Sequence, residues 1–199
     1  MMKYDGVVVL DLETTGFCPT KNKILEIGAD IWIAETNTHH VFERVINVGK
    51  VPKHITKITG ITTAEASKGV DIASALFDLE AFIFSHLKRP LFVGHNIIGF
   101  DMRFLSSLKW IPKRHIYDTM LIERAIHDGE IKRSFHATQL ESVKFRGNTC
   151  VNLRMCCKRY RIRFVGAHRA AADCKVTFFV MVHQLGKTGW KLFGRRKNK

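Results

Sequence analysis

Near its start the chain reads Val7-Val8-Val9-Leu10-Asp11-Leu12-Glu13, an apolar run that ends in two acids. A continuous β-branched run of this kind is typical of a central strand that is buried on both faces. Residues two apart on a strand share a face, so Asp11 and Glu13 project together. Two carboxylates a few ångströms apart raise each other's pKa unless a cation lies between them. The alternative is that both acids are solvated where the strand ends, which is common for one acid and less so for a pair that follows valines.

Two further segments extend this strand into a sheet. Residues 24–34 and 40–48 carry the apolar patterns of strands, and the first strand covers residues 5–12. Because the connections are short, the three strands are predicted to form an antiparallel meander.

Beyond the meander the pattern alternates between helix and strand. Apolar residues at helical spacing predict a helix over about 71–88, and short strands are predicted at 91–93 and 115–117. Asp101 and Asp118 each open a further helix, and Asp is a good N-cap. Three more helices are predicted near 136–144, 150–160 and 169–185. The pattern is that of one α/β domain with a mixed sheet over residues 1–186, followed by a basic tail over 187–199.

Composition excludes several classes of protein. Of 199 residues, 46% are hydrophobic and 25% are charged, which is ordinary for a soluble globular domain. The apolar runs are far shorter than the roughly 20 residues that cross a membrane, and no apolar leader segment is visible. The five cysteines form no CxxC pair, so neither a zinc site nor a disulfide framework is indicated. An intracellular location, cytoplasmic or nuclear, is expected.

The positive charge is concentrated at one end of the chain. Residues 1–141 carry equal numbers of acids and bases, so the whole net charge of +14 lies in residues 142–199. Such asymmetry indicates a polyanionic partner, most simply nucleic acid, although a solvated basic face is the plain alternative. One basic block consists of Arg154, Lys158, Arg159, Arg161 and Arg163. The other is the tail from Lys187, which is expected to be mobile.

Another acid lies in unusual surroundings. Asp173 is the only acid in residues 142–199 and lies in a mostly apolar helix, where an unpaired carboxylate is costly to bury. It is either paired with a nearby base or it is a metal ligand, and His168 is expected on the loop before this helix. Together with Asp11, Glu13 and Asp101 it makes a set of four carboxylates. Oxygen ligands favour Mg²⁺ or Mn²⁺, and two such ions can clamp an in-line phosphoryl displacement.

Three motifs resemble those of the DEDD exonucleases with a catalytic histidine, the family of the proofreading epsilon subunit, the TREX enzymes and ribonuclease T. They occur in family order over roughly residues 5–185. The first two are Val8-Val9-Leu10-Asp11-Leu12-Glu13-Thr14-Thr15-Gly16 and Val93-Gly94-His95-Asn96-Ile97-Ile98-Gly99-Phe100-Asp101-Met102-Arg103-Phe104-Leu105. The third is His168-Arg169-Ala170-Ala171-Ala172-Asp173, with the H-x-x-x-x-D spacing of the family.

The resemblance implies a ribonuclease H-like fold, with a five-stranded mixed sheet flanked by helices. It implies that two Mg²⁺ or Mn²⁺ ions are held by Asp11, Glu13, Asp101 and Asp173. His168 is then the general base. Asp118 matches a position outside this set, so it is expected to be a helix cap.

The resemblance also implies contacts to the 3′-terminal nucleotide. These are assigned to Leu12, Glu13 and Thr14. Many family members read H-G-I-T where this chain has Thr59, so that substrate contact is either missing or supplied by His54. From its place alone, Phe17 is expected to stack on a base.

The sequence therefore predicts a metal-dependent 3′–5′ exonuclease that releases nucleoside 5′-monophosphates from single-stranded or frayed 3′ ends. DNA is the first choice of substrate and RNA the alternative. A non-catalytic nucleic-acid-binding subunit on the same fold is a hypothesis of another class, which the complete set of five catalytic-type residues disfavours. A polymerase or repair partner is a further possibility, and no membrane partner is expected.

Overall fold

The computed structural model describes residues 4–112, 115–128, 151–164, 168–189 and 192. In this part of the chain five strands form one sheet in the order β3-β2-β1-β4-β5. They are β1 (Gly6–Thr14), β2 (Ile24–Ile33), β3 (Thr38–Val45), β4 (Pro90–Gly94) and β5 (Ile116–Asp118). The first three form the predicted antiparallel meander, whereas β4 runs parallel to β1 and β5 parallel to β4. The predicted five-stranded mixed sheet is confirmed.

Helices cover both faces of this sheet. They are α1 (Lys53–Thr59), α2 (Thr63–Ala66), α3 (Ile72–His86), α4 (Asp101–Ser107), α5 (Thr119–His127), α6 (Leu153–Tyr160) and α7 (Ala170–Thr188). The predicted helix near 136–144 and most of the basic tail lie outside the described residues. Within the described ranges, every helix is too short or too polar to cross a membrane.

The alternation of side chains along β1 decides which face of the sheet carries the acids. Odd-numbered Val7 and Val9 are buried with Phe178 of α7, while the even-numbered residues lie in the core on the opposite side. Because side chains alternate along a strand, Asp11 and Glu13 belong to the α7 face. The strand extends to residue 14, so Glu13, which lies beyond the predicted end at residue 12, belongs to the strand as Asp11 does.

A glycine on β2 allows α7 to begin directly against the sheet. A Cβ atom on Gly28 would lie 2.5 Å from the carbonyl carbon of Ala170 and 2.6 Å from the amide nitrogen of Ala171. Real Cβ atoms do not approach backbone this closely, so glycine is required here for the contact. Gly28 is paired with Asp11 across β1 and β2. The close approach therefore sets the first turn of α7 beside the acids of β1.

A buried polar network joins the last three helices. The carboxylate of Glu123 on α5 is fully buried and pairs with the guanidinium of Arg159. It also accepts hydrogen bonds from the Tyr160 hydroxyl at 2.6 Å and from the Gln184 side-chain amide at 2.8 Å. Buried polar groups with all of these partners fix one relative arrangement of helices, so α6 is held against α5 and α7.

Candidate active site

Three elements bring the predicted metal ligands to the middle of the sheet. Asp101 is the first residue of α4, it is buried, and its Oδ1 accepts a hydrogen bond of 2.9 Å from the backbone amide of Leu12. Leu12 lies between Asp11 and Glu13, so this bond ties the Asp101 carboxylate to the acid-bearing part of β1. Phe100 is the N-cap of α4, so Asp101 lies in the first turn and the alternative that it is a cap is wrong.

Asp173 and His168 complete the group from the start of α7. Asp173 is buried in the first turn of the helix, and His168 lies two residues before the helix begins, as expected from their spacing. The backbone amide of His168 donates to Asp173 Oδ1 at 3.3 Å. His168 has a φ of 66°, a left-handed conformation that is uncommon for a residue with a side chain. Ligand atoms of Glu13, His168 and Asp173 all lie within 4.8 Å of one another.

The electrostatics of these carboxylates fit a cation-binding site. Burial, and then the charges of Asp101 and Asp173, raise the pKa of Asp11 well above its usual range. Burial also raises the pKa of Asp101, and it raises the pKa of Glu13 to about 8, with further contributions from nearby acids. Each of these groups resists ionisation because its neighbours carry the same charge in a desolvated place.

A hard divalent cation relieves that resistance. The donors that meet here are carboxylate oxygens with one imidazole, which is a set suited to Mg²⁺ or Mn²⁺. Burial raises the pKa of Asp173 to about 6, while His168 opposes the shift. The residues therefore fit the predicted two-ion site in donor type and in charge.

Sequence reasoning missed two residues that support this site. Glu26 on β2 is fully buried and lies opposite Glu13 in the strand register. Its carboxylate accepts hydrogen bonds from Nε and Nη2 of Arg169 at 3.0 and 2.6 Å, and from the amide of Ala170 at 2.9 Å. Arg169 directly follows His168, so this Glu26–Arg169 pair anchors the segment that carries the histidine. The signal that could have revealed Glu26 is the presence of an acid within the mostly apolar residues 24–31.

Replacing Arg169 with glutamine is expected to destabilise the fold. The change leaves the buried charge of Glu26 without its cation, which lowers the free energy of unfolding by about 2 kcal/mol, less than for a fully buried pair because Arg169 is partly exposed. Adding Glu26→Gln should recover part of the loss, because no unpaired charge then remains. Chemical denaturation measures both effects. Glu43→Gln removes an exposed partner of Arg169 at 3.1 Å and is the control, so an equal loss in this variant would contradict the assignment.

The predicted substrate contacts have different surroundings. Thr59 is buried, and its hydroxyl donates to the carbonyl of Ile55 and accepts from the amide of Ile61 at the end of α1. A contact between Thr59 and substrate stays a prediction. His54 is exposed on the same helix.

Two of the residues predicted to contact substrate from β1, Leu12 and Thr14, already make hydrogen bonds within the protein. The side chain of Leu12 is buried and its amide is used by Asp101. The Thr14 hydroxyl donates to the carbonyl of Gly16 at 2.6 Å, where the chain leaves the strand. Asp118 behaves as the predicted cap, because its carboxylate accepts from the amides of Met120 and Leu121.

Comparison with known proteins identifies relatives whose sequences match most of this chain. The PolC-type DNA polymerase III of Ureaplasma parvum is 28% identical over 192 residues, which is 89% of this chain and 12% of that protein. The 3′–5′ exonuclease DinG of Bacillus subtilis is 28% identical over 193 residues, covering 94% of this chain and 18% of DinG. The chain thus spans less than a fifth of the length of these relatives.

Solved structures share the fold at low sequence identity. The nuclease domain of 3′hExo, a DEDDh family member bound to rAMP, has a TM-score of 0.68 with 15% identity over 92% of this chain and 93% of that one. Exonuclease I of E. coli in complex with a dA16 oligonucleotide has a TM-score of 0.65 with 19% identity over 92% of this chain and 41% of that one. Residues 8–181, which include the four acids and the histidine, match the RNase T exonuclease family. The chain belongs to this exonuclease family.

Proposed function

We propose that this protein is a metal-dependent 3′–5′ exonuclease that removes nucleoside 5′-monophosphates from single-stranded or frayed 3′ ends of DNA. The observation that carries the proposal is that Asp101 and Asp173 lie close to Asp11 and Glu13 of β1, with His168 beside Glu13 and Asp173. A non-catalytic binding subunit would have no need to keep four mutually repelling acids together.

The proposed chemistry assigns each residue a task. The four carboxylates hold two Mg²⁺ or Mn²⁺ ions, which supply charge stabilisation for an in-line displacement at phosphorus. His168 accepts a proton from the attacking water as the new bond from oxygen to phosphorus forms. The bond from phosphorus to the 3′ oxygen of the preceding nucleotide breaks, and that oxygen takes a proton from solvent. The products are a nucleoside 5′-monophosphate and a strand one nucleotide shorter.

DNA is the first choice of substrate for two reasons. One relative is a DNA polymerase of the PolC type, and one structural neighbour holds a deoxyadenosine oligonucleotide. The alternative of an exoribonuclease is supported by the neighbour that holds rAMP. The same polymerase relatives support a polymerase or repair setting as a proposal. The basic tail over 187–199, mostly outside the described residues, is proposed to add contacts to phosphates.

The deciding experiment compares matched single-stranded DNA and RNA, each labelled at the 3′ or at the 5′ end. With Mg²⁺, the 3′ label should be released at once as a mononucleotide, and the strand that carries the 5′ label should shorten step by step. Excess chelator should stop both. Release of the 5′ label first would reject the proposed polarity, and faster loss of RNA would favour the alternative substrate.

An exposed aromatic ring near the acids is proposed to stack on a base of the substrate. Phe17 is 84% exposed on the loop after β1, and its ring meets that of Phe100, the residue before Asp101, edge-on at 6.3 Å. An exposed phenylalanine in this place offers a platform for any base, because every base has a π-face.

Phe17→Ala is expected to raise KM for single-stranded DNA roughly tenfold, since stacking is worth about 1–3 kcal/mol per base. The value of kcat should change little, because the ring does not reach the reacting phosphate. Phe77→Ala is the matched control, because Phe77 is 74% exposed on α3, a helix that carries none of the candidate active-site residues. Steady-state kinetics on both variants decides the matter, and equal KM values for the two would remove Phe17 from the substrate contacts.

A further inference from the structure

The exposed face of α6 carries cations in a regular row. Arg154, Lys158 and Arg161 are all exposed and follow one another at spacings of four and three residues. At about 100° and 1.5 Å per residue, Arg154 and Lys158 lie about 40° apart around the helix and about 6 Å apart along it, and Arg161 is the left-handed C-cap that directly follows the helix. In the described part of the chain these three side chains take part in none of the ion pairs. They form what is called here the α6 basic row.

Arg159 differs in position and role from the three bases of the α6 basic row. Arg159 points to the other edge of α6 and pairs with buried Glu123 inside the protein. Its charge is therefore already neutralised by the fold. The structure thus divides a block that looked uniform in the sequence into one base paired with a buried carboxylate, Arg159, and four exposed bases that make no ion pair with the described residues.

The α6 basic row lies next to the candidate active site. Cys156, Cys157 and Tyr160 pack with Val176 and Val180 of α7, the helix that carries Asp173. The edge of α6 that carries Cys157 therefore packs against α7 within about two turns of Asp173. Residues three apart on a helix are separated by about 60°, so Arg154 lies beside the edge that carries Cys157.

The geometry points to the α6 basic row as the surface that binds the phosphates of the DNA strand upstream of its 3′ end. This inference rests on the proposed function, because that function places the 3′ terminus at the acids and leaves the rest of the strand to be held elsewhere. A row of exposed cations suits a phosphodiester backbone and reads no sequence. Residues 142–199 contain one acid, Asp173, so no carboxylate of that segment competes along the row.

The test measures the salt dependence of DNA binding in an Asp11→Asn background, which prevents degradation. One variant carries Arg154→Gln and Lys158→Gln. The control carries Lys68→Gln and Lys109→Asn, which remove the same charge from exposed positions next to α3, across the sheet from α6. Fluorescence anisotropy with a labelled single-stranded DNA oligonucleotide gives the dissociation constant at several salt concentrations.

Each phosphate contact contributes roughly 0.7 to the slope of log affinity against log salt for single strands. The α6 variant should therefore flatten the slope by about 1.4, while the control keeps the parental slope. Charge reversal by Arg154→Glu and Lys158→Glu should weaken binding further. An unchanged slope in the α6 variant, or equal flattening in the control, would overturn the inference. The proposed function is judged separately, by chelator-sensitive release of nucleotides from the unmodified protein, so the two can fail independently.

Discussion

Asp11→Asn is expected to reduce turnover by roughly a thousandfold or more while leaving the protein folded. The carboxylate is proposed to hold the metal ions that stabilise the charge of the displacement, and losing such electrostatic stabilisation costs about 10² to 10³ in rate or more. Asp78→Asn is the matched control, because it removes the same charge from a half-buried position on α3, where Asp78 pairs with Arg44 away from the candidate active site.

The same substitution should stabilise the protein when no metal is bound. Burial and neighbouring acids raise the pKa of Asp11, so its ionised form is disfavoured in the folded state. Because the pKa of Asp11 is raised in the folded state, its contribution to stability is fully present at low pH. That contribution is lost as the pH rises from the pKa in the unfolded chain, near 4, toward the pKa in the folded protein. At neutral pH the parent therefore carries a penalty that asparagine removes.

Thermal unfolding in chelator and in Mg²⁺ measures this. The parent should gain stability on adding Mg²⁺, since a ligand that binds only the folded state stabilises it. The Asp11→Asn variant should have a higher Tm than the parent in chelator, and its Tm should rise less when Mg²⁺ is added. Full turnover in excess chelator, or an equal response of both proteins to Mg²⁺, would refute the metal-ion assignment.

His168→Ala is expected to lower kcat by a factor on the order of 10² to 10⁴, as is typical for the loss of a general base. Metal binding and binding of single-stranded DNA should remain near normal. The geometry makes this a sharp test, because the imidazole lies within 4.8 Å of the ligand atoms of Glu13 and Asp173. A histidine in that position is either a base or a further ligand.

The variants separate these roles. If His168 is a ligand, His168→Ala weakens the response to Mg²⁺ as much as Asp173→Ala does. If it is the base, only kcat falls. His127→Ala is a suitable control because His127 is exposed at the end of α5.

His95, the histidine of the second motif, is not a suitable control for this experiment. Its two ring nitrogens bond to the Thr119 hydroxyl and to the carbonyl of Val151, and burial lowers its pKa to about 4. Replacing it would leave buried polar partners unsatisfied and destabilise the fold.

The main architecture could be predicted because its causes are local. The valine run of β1, the meander and the helical periods of α3 and α7 are each visible within a short window of sequence. Strand parity places Asp11 and Glu13 on one face, and five-residue spacing places His168 on the loop before α7. The motifs that carry the family resemblance are also contiguous, so the proposed acids and base could be named without coordinates.

What only the tertiary structure decided depends on pairs that are far apart in the chain. Nothing local indicates that Arg169 neutralises Glu26, that Arg159 pairs with a buried carboxylate while Arg154 does not, or that Thr59 turns inward. All three outcomes follow from burial, because a charge or hydroxyl that leaves water must find a partner, and the partner is set by how elements pack. The sequence by itself determined the fold and which residue types could perform the chemistry, whereas packing determined which charges are consumed inside the protein and which remain available to a ligand.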